Sequence, residues 1–130
     1  MNDSTLLYRQ IHPAFLQQGH VSSQAFRPTI KDDNKLSVYN GDLISAKESY
    51  DHFTTVIHCQ SAGVLAVNVR ECLDEDLPVI DDPQTFDEHA LIDFTSQSLI
   101  SKGMVLRKAE TLRKFAISRG WRYIHSSSMD

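Results

Sequence analysis

The chain is poor in the residues that hold a small domain together by cross-links or metal. It has 2 cysteines in 130 residues, Cys59 and Cys72. A disulfide scaffold in so short a chain would need more. The expectation is two free thiols, Cys59 on or just after a helix and Cys72 at the start of another helical segment. The 6 histidines form no compact zinc signature, and the cysteines lie too far apart for a C-x-x-C knuckle. No metal site is therefore expected. The 5 glycines are scattered, so neither a P-loop nor a dinucleotide fingerprint is present. Ser22 and Ser23 lack the G-x-S-x-G elbow, and separations alone show no serine–acid–histidine order.

Long apolar runs are missing too. No segment approaches the ~20 residues that cross a bilayer. The opening "MNDSTLLYRQ" has no basic region followed by an apolar stretch, which argues against a secretory signal. A cytoplasmic protein with no membrane partner is the expectation. Basic charge is not in excess: 13 Lys and Arg stand against 17 Asp and Glu, a formal net charge of −4. That balance disfavours nucleic acid as a partner, because neutralising phosphates calls for a concentrated basic surface. No repeat or linker divides the chain. One domain over residues 1–130 follows, with residues 126–130 as a flexible polar tail.

What is present is periodicity. Thr5–Ile11 is β-rich and sets Leu7, Arg9 and Ile11 on one side, Leu6, Tyr8 and Gln10 on the other. If that strand is central, Arg9 must meet a partner or enter a cleft, because a buried charge cannot stay unpaired. Further strands are predicted at Leu36–Tyr39, Val64–Val69, Ala90–Phe94 and Trp121–His125, with an extended stretch at Val21–Phe26. "SAKE" at Ser45–Glu48 fits a capping box. Behind it, Ala46, Tyr50, Phe53 and Ile57 make one helical stripe over Ser45–Ile57. A second helix, Met104–Arg119, carries Val105, Ala109, Leu112 and Ala116, with Gly120 as its C-cap. A short helix is predicted at Arg70–Leu77. The sum is a compact α+β domain, with a bent mixed or antiparallel sheet of about five strands and two main helices.

Candidate chemistry concentrates early, in "YRQIHPAF" (Tyr8–Phe15) and "GHVSSQAFRPT" (Gly19–Thr29). Arginine offers a rigid donor fork for phosphate or carboxylate. Small hydroxyls can orient a polar group, and Tyr8, Phe15, Phe26 or Tyr39 could wall it. Arg9, His12, Ser22, Ser23 and Tyr39 are the ligand-binding candidates, and Pro13 with Gly19 suggests a bend returning the chain toward Arg9. The bland alternative pairs Arg9 with a carboxylate and gives the serines to a turn. No catalytic residue is assigned from the sequence.

An arginine in an early strand, serines opening a second extended segment, then "LSVY" and a helix resemble the minimal scaffold of ADP-ribosyltransferase-like proteins, including the small RES-type toxins. The resemblance implies a split sheet with NAD as substrate in its cleft. It further implies Arg9 at the phosphates or ribose, Ser22 or Ser23 as the strand serine, and Tyr39 on the ring or ribose side. The implied reaction is glycosidic cleavage, with a carboxylate for which Glu48, Glu71 and Glu88 are the candidates. "YRQIHPAF", "SSQAFRPTIKDDNKLSVYNGD" and "HALIDF" also resemble stretches of small uncharacterised bacterial proteins, which implies no particular chemistry.

Charge is segregated. Residues 71–93 hold 9 acidic residues and no basic one, whereas Lys102–Arg122 holds 7 basic residues against Glu110 alone. The two segments could face one another or solvent. They also support a second functional reading, a non-enzymatic immunity or antitoxin-like module that takes a protein partner through the acidic segment.

Overall fold

The computed structural model describes residues 1–125, so the predicted tail at 126–130 lies outside the described residues. The chain runs β1 (Leu6–Ile11), β2 (Leu16–Gln17), β3 (His20–Val21), β4 (Lys35–Asn40), α1 (Ala46–Asp51), β5 (Gly63–Asn68), α2 (Val69–Asp74), β6 (Val79–Asp81), β7 (His89–Asp93), α3 (Thr95–Ile100), α4 (Lys102–Arg119) and β8 (Tyr123–Ile124). Six strands form one sheet in the order β6-β7-β4-β1-β5-β8, and β2 and β3 form a separate hairpin. All of the pairings are antiparallel.

The expected sheet of about five strands with two main helices is corrected: the described residues form eight strands in two sheets, and beside α1 and α4 stand α2, which overlaps the short helix expected at Arg70–Leu77, and α3. Short length explains most of the miss. β2 and β3 have two residues each and β6 has three, too few for a period of two to register, whereas β8 falls within the strand expected at Trp121–His125. α3 buries only Gln97 and leaves Leu99 and Ile100 exposed, so it carries no apolar stripe. Val21 begins the stretch expected to be extended, but Ser23–Phe26 closes into a 3-10 turn.

Each face of the large sheet has its own packing layer. Leu7, Ile11, Leu36, Val38, Leu65, Val67, Ala90 and Ile92 face α4, which buries Val105, Ala109, Leu112 and Ala116 against them. Tyr8, Tyr39, Val64 and Ala66 face the other way, onto Ala46, Tyr50 and Phe53 of the α1 segment. Alternation along β1, β4, β5 and β7 creates this division, since successive side chains point to opposite faces. At the far edge, a Cβ on Gly63 would stand 2.7 Å from the Tyr123 carbonyl, so β8 can close on β5 there only with glycine.

The α1 segment ends differently from the simple helix predicted to Ile57. Its capping box is present, with Ser45 and Glu48 exchanging both hydrogen bonds. After Asp51 the helix widens into a π turn, His52–Val56, where the Ile57 N–H donates to the His52 carbonyl at 3.0 Å. The run Thr54-Thr55-Val56-Ile57 is β-branched and fits a regular helix poorly. Both threonine hydroxyls donate back to carbonyls of the preceding turn. Ile57 is thereby turned away from the core stripe and is 40% exposed.

The segregated charges meet at two points, Glu71 with Arg119 and Glu75 with Lys108. Glu71 closes the cap of α2 and takes a bidentate contact from Arg119 at 2.9 and 3.1 Å. Asp74 pairs with Arg70, and Glu75 with Lys108. Both cysteines are free, Cys59 exposed after the π turn and Cys72 buried within α2, where burial pushes its thiol up to about 12. No described helix is long and apolar enough to cross a membrane.

Leu112 is fully buried in the α4 layer. Leu112→Ala should lower unfolding stability by about 3 kcal/mol, the range for a leucine truncated in a close-packed core. Urea denaturation measures it, and an unchanged midpoint would show that α4 does not supply the core of that face.

Candidate functional site

Arg9 sits in a central strand, between β4 and β5. β1 pairs with β5 over its whole length, but with β4 only at Leu7↔Asn40 and Tyr8↔Tyr39. Beyond Tyr8 the two strands part, and the Arg9 side chain occupies the opening. Its Nε donates to the Ala25 carbonyl at 2.8 Å and its Nη1 to the Ser37 carbonyl at 3.1 Å. Two of the guanidinium's five N–H donors are thus used, and the others have no partner among the described residues. Burial lowers its pKa to about 10, with Asp32 opposing the shift. Arg9 remains a cation at neutral pH.

Over that opening, on the α1 side, lies a cavity of about 220 Å³. Arg9 and Ser37 meet there with an aromatic wall of Tyr39, Phe53 and Phe86, and with His89. The β-hairpin β6–β7 positions the last two. Asp82 begins its loop, donating its N–H to the His89 carbonyl at 2.9 Å, and the loop folds Phe86 back over Tyr39, His52 and His89 at ring distances of 5.1, 4.6 and 4.8 Å. The Tyr39 hydroxyl meets His52 Nδ1 at 2.8 Å. Burial holds that phenol far above its ordinary pKa, so it stays protonated.

A polar chain runs through the same place. Ser37 Oγ lies 2.5 Å from His89 Nε2, His89 Nδ1 lies 2.8 Å from Asp82 Oδ2, and the same Asp82 oxygen accepts from Thr85 Oγ1 at 2.5 Å. Register explains the first contact. Tyr39 stands opposite His89 and Ser37 opposite Leu91, so Ser37 and His89 are diagonal neighbours on one face. The second contact sets the tautomer: a carboxylate on Nδ1 requires the proton there and leaves the Nε2 lone pair toward Ser37. His89 is 7% exposed, whereas Ser37 is open to solvent. The Thr85 hydroxyl and then His89 hold the Asp82 carboxyl below its ordinary pKa.

Of the residues singled out in the sequence, Arg9, Tyr8 and Tyr39 line this cavity, whereas Phe15 and Phe26 do not. Neither do Ser22 and Ser23. Ser22 caps the 3-10 turn by accepting from the Gln24 N–H, and Ser23 accepts from Arg27 at 2.7 Å. Both lie on a shallow surface concavity with Glu110 and Arg113. The bend does return the chain to Arg9, but through the Ala25 carbonyl rather than a serine. His12 caps another short turn, its Nδ1 accepting from the Ala14 N–H, and its ring packs on Phe15. Among the candidate carboxylates, Glu48 and Glu71 are engaged in capping boxes, and neither they nor Glu88 line the cavity.

Ser37, Asp82 and His89 escaped sequence reasoning because their separations of 45 and 7 residues match no local motif. The available signal was shared parity: Ser37 with Tyr39 in β4, and His89 with Leu91 in β7. Among the described residues no group of three His, Cys, Asp or Glu side chains could hold a metal ion. No family model, curated protein or solved structure matches the chain.

The Asp82 shift has a consequence for stability. Its folded pKa is below the ordinary 3.8, so its contribution is present above that value and is lost as pH falls through the lower folded value. Asp82→Asn should be less stable than wild type at pH 7, with the difference closing in strong acid. Urea midpoints at both pH values measure this, and a constant gap would disconnect Asp82 from His89.

Proposed function

We propose that the cavity over the β1–β4 opening binds a small ligand that joins a flat ring to a negatively charged or strongly polarised oxygen. The observation that carries this is the placement of Arg9, a cation with unused donors, in one cavity with Tyr39, Phe53 and Phe86. Aromatic walls take a ring face, and a guanidinium fork takes the oxygens of a phosphate or carboxylate. This is a ligand of the NAD or ADP-ribose class, as the resemblance to ADP-ribosyltransferase-like proteins implies. Volume refines the reading. At about 220 Å³ the cavity is smaller than the ~300–1,000 Å³ typical of drug-sized ligands, so it encloses one ring-bearing end of a dinucleotide.

The partner-binding reading, an immunity or antitoxin-like module using residues 71–93, draws less support. Glu71, Asp74 and Glu75 already meet Arg119, Arg70 and Lys108, which leaves fewer free carboxylates to steer a partner.

Titration calorimetry with NAD, ADP-ribose, AMP and nicotinamide tests the proposal. At least one should bind, and Arg9→Ala should weaken it by about 10- to 100-fold, the size of a lost charge-assisted hydrogen bond. Urea denaturation identifies any loss of fold in the variant, and Phe86→Ala removes the ring wall without touching the opening. No heat with any of the four, or equal affinity in both variants, overturns it.

A further inference from the structure

We infer that Ser37, His89 and Asp82 form a nucleophile–base–positioning chain for acyl transfer, and that the substrate is a small carboxylic ester with an aromatic or similarly flat group. The inference rests on the reading that this cavity is the ligand site, and it names the chemistry done there. Three observations converge. Ser37 is an exposed residue, and its hydroxyl lies within hydrogen-bond reach of an imidazole nitrogen. That imidazole is buried, and its other nitrogen is held by a carboxylate itself anchored by Thr85. Arg9, the only fixed cation among the described residues lining the cavity, is bonded to the carbonyl of Ser37 itself. Nucleophile, base and orienting group in this relation are recognised by geometry and not by chain order.

Each member has a defined task. Ser37 Oγ adds to the acyl carbon while its proton passes to His89 Nε2. The acyl oxygen gains the negative charge and is received by Arg9, so the polarised oxygen of the bound ligand becomes the oxyanion. As the adduct collapses, the acyl–oxygen bond breaks and His89 gives its proton to the departing alkoxide. The alcohol leaves, and the acyl group stays on Ser37. Water then adds to the acyl carbon, giving a proton to His89. The Ser37–acyl bond breaks, that proton returns to Oγ, and a carboxylic acid is released. Asp82 is a positioning residue: it keeps the Nδ1 proton in place and supports the imidazolium formed twice per cycle. Among the described residues no carboxylate lines the cavity, which favours acyl chemistry over a glycosidic step that needs one at the sugar.

The test uses the full chain with two probes, a fluorophosphonate for covalent labelling and 4-nitrophenyl acetate for turnover. Intact mass and peptide mapping should place a single adduct on Ser37, and the ester should show a burst of nitrophenol before the steady rate. Ser37→Ala should abolish the adduct, and His89→Gln should slow acylation by at least 100-fold. Ser37 is exposed, so its alanine variant keeps the fold. Asp82→Asn should slow acylation at pH 7, partly recover with rising pH, and be rescued in part by Asp82→Glu, which a merely structural role would not produce. The titratable groups around His89 in that profile are Asp82, Arg9 and Tyr39, with His52 behind Phe86. Absence of labelling at Ser37, or equal rates in wild type and Ser37→Ala, overturns the inference. Ligand binding without labelling rejects the nucleophile and keeps the binding site. Labelling without affinity for any nucleotide supports the nucleophile and rejects the nucleotide class.

Discussion

A cation in the middle of a sheet cannot be left without partners, and Arg9 meets that constraint by holding two strands apart. β1 and β4 pair only at their Leu7–Asn40 and Tyr8–Tyr39 positions. Past that point the ladder's work at the Ser37 carbonyl is done by the Arg9 side chain, and the same guanidinium draws in the Ala25 carbonyl from the turn at Ser23–Phe26. The buried charge, the opened sheet and the returning loop are one arrangement. Removing the charge would leave two carbonyls lacking a donor and a gap between adjacent strands.

That opening gives the α1 face of the sheet its concavity. Tyr39, on the last residue pair before the strands separate, is fixed by His52 at the widened turn and by Phe86 from the β6–β7 loop. Two irregular stretches, the π turn and the hairpin loop, both contribute walls to the same cavity. Single-turn π segments occur often beside functional sites, where one extra residue re-aims a side chain. Here the re-aimed residue is Ile57, which leaves the core stripe and joins the rim.

Much of the frame was legible before folding was considered. The α4 stripe at Val105, Ala109, Leu112 and Ala116 follows from a 3.6 period, and the Ser45 cap from two side chains that satisfy each other's backbone. The segregated acidic and basic segments meet in part, through Glu71 with Arg119 and Glu75 with Lys108. The least legible parts were β2, β3 and β6, strands of two or three residues whose pairing depends on what lies opposite them. α3 was invisible for a different reason, since it leaves its apolar side chains in solvent.

The sequence by itself determined that Arg9 needed a partner or a cleft, because its place in an apolar strand left no other outcome. It also determined which faces of the regular elements turn inward. It could not decide which hydroxyl would stand near that arginine. Ser22 and Ser23 are closer in the chain, yet Ser22 caps a turn and Ser23 accepts from the Arg27 side chain. Ser37 and His89 lie 52 residues apart and meet only because β4 and β7 pair in a register that makes them diagonal neighbours. Register is a property of two strands together, so that contact belongs to the tertiary structure alone.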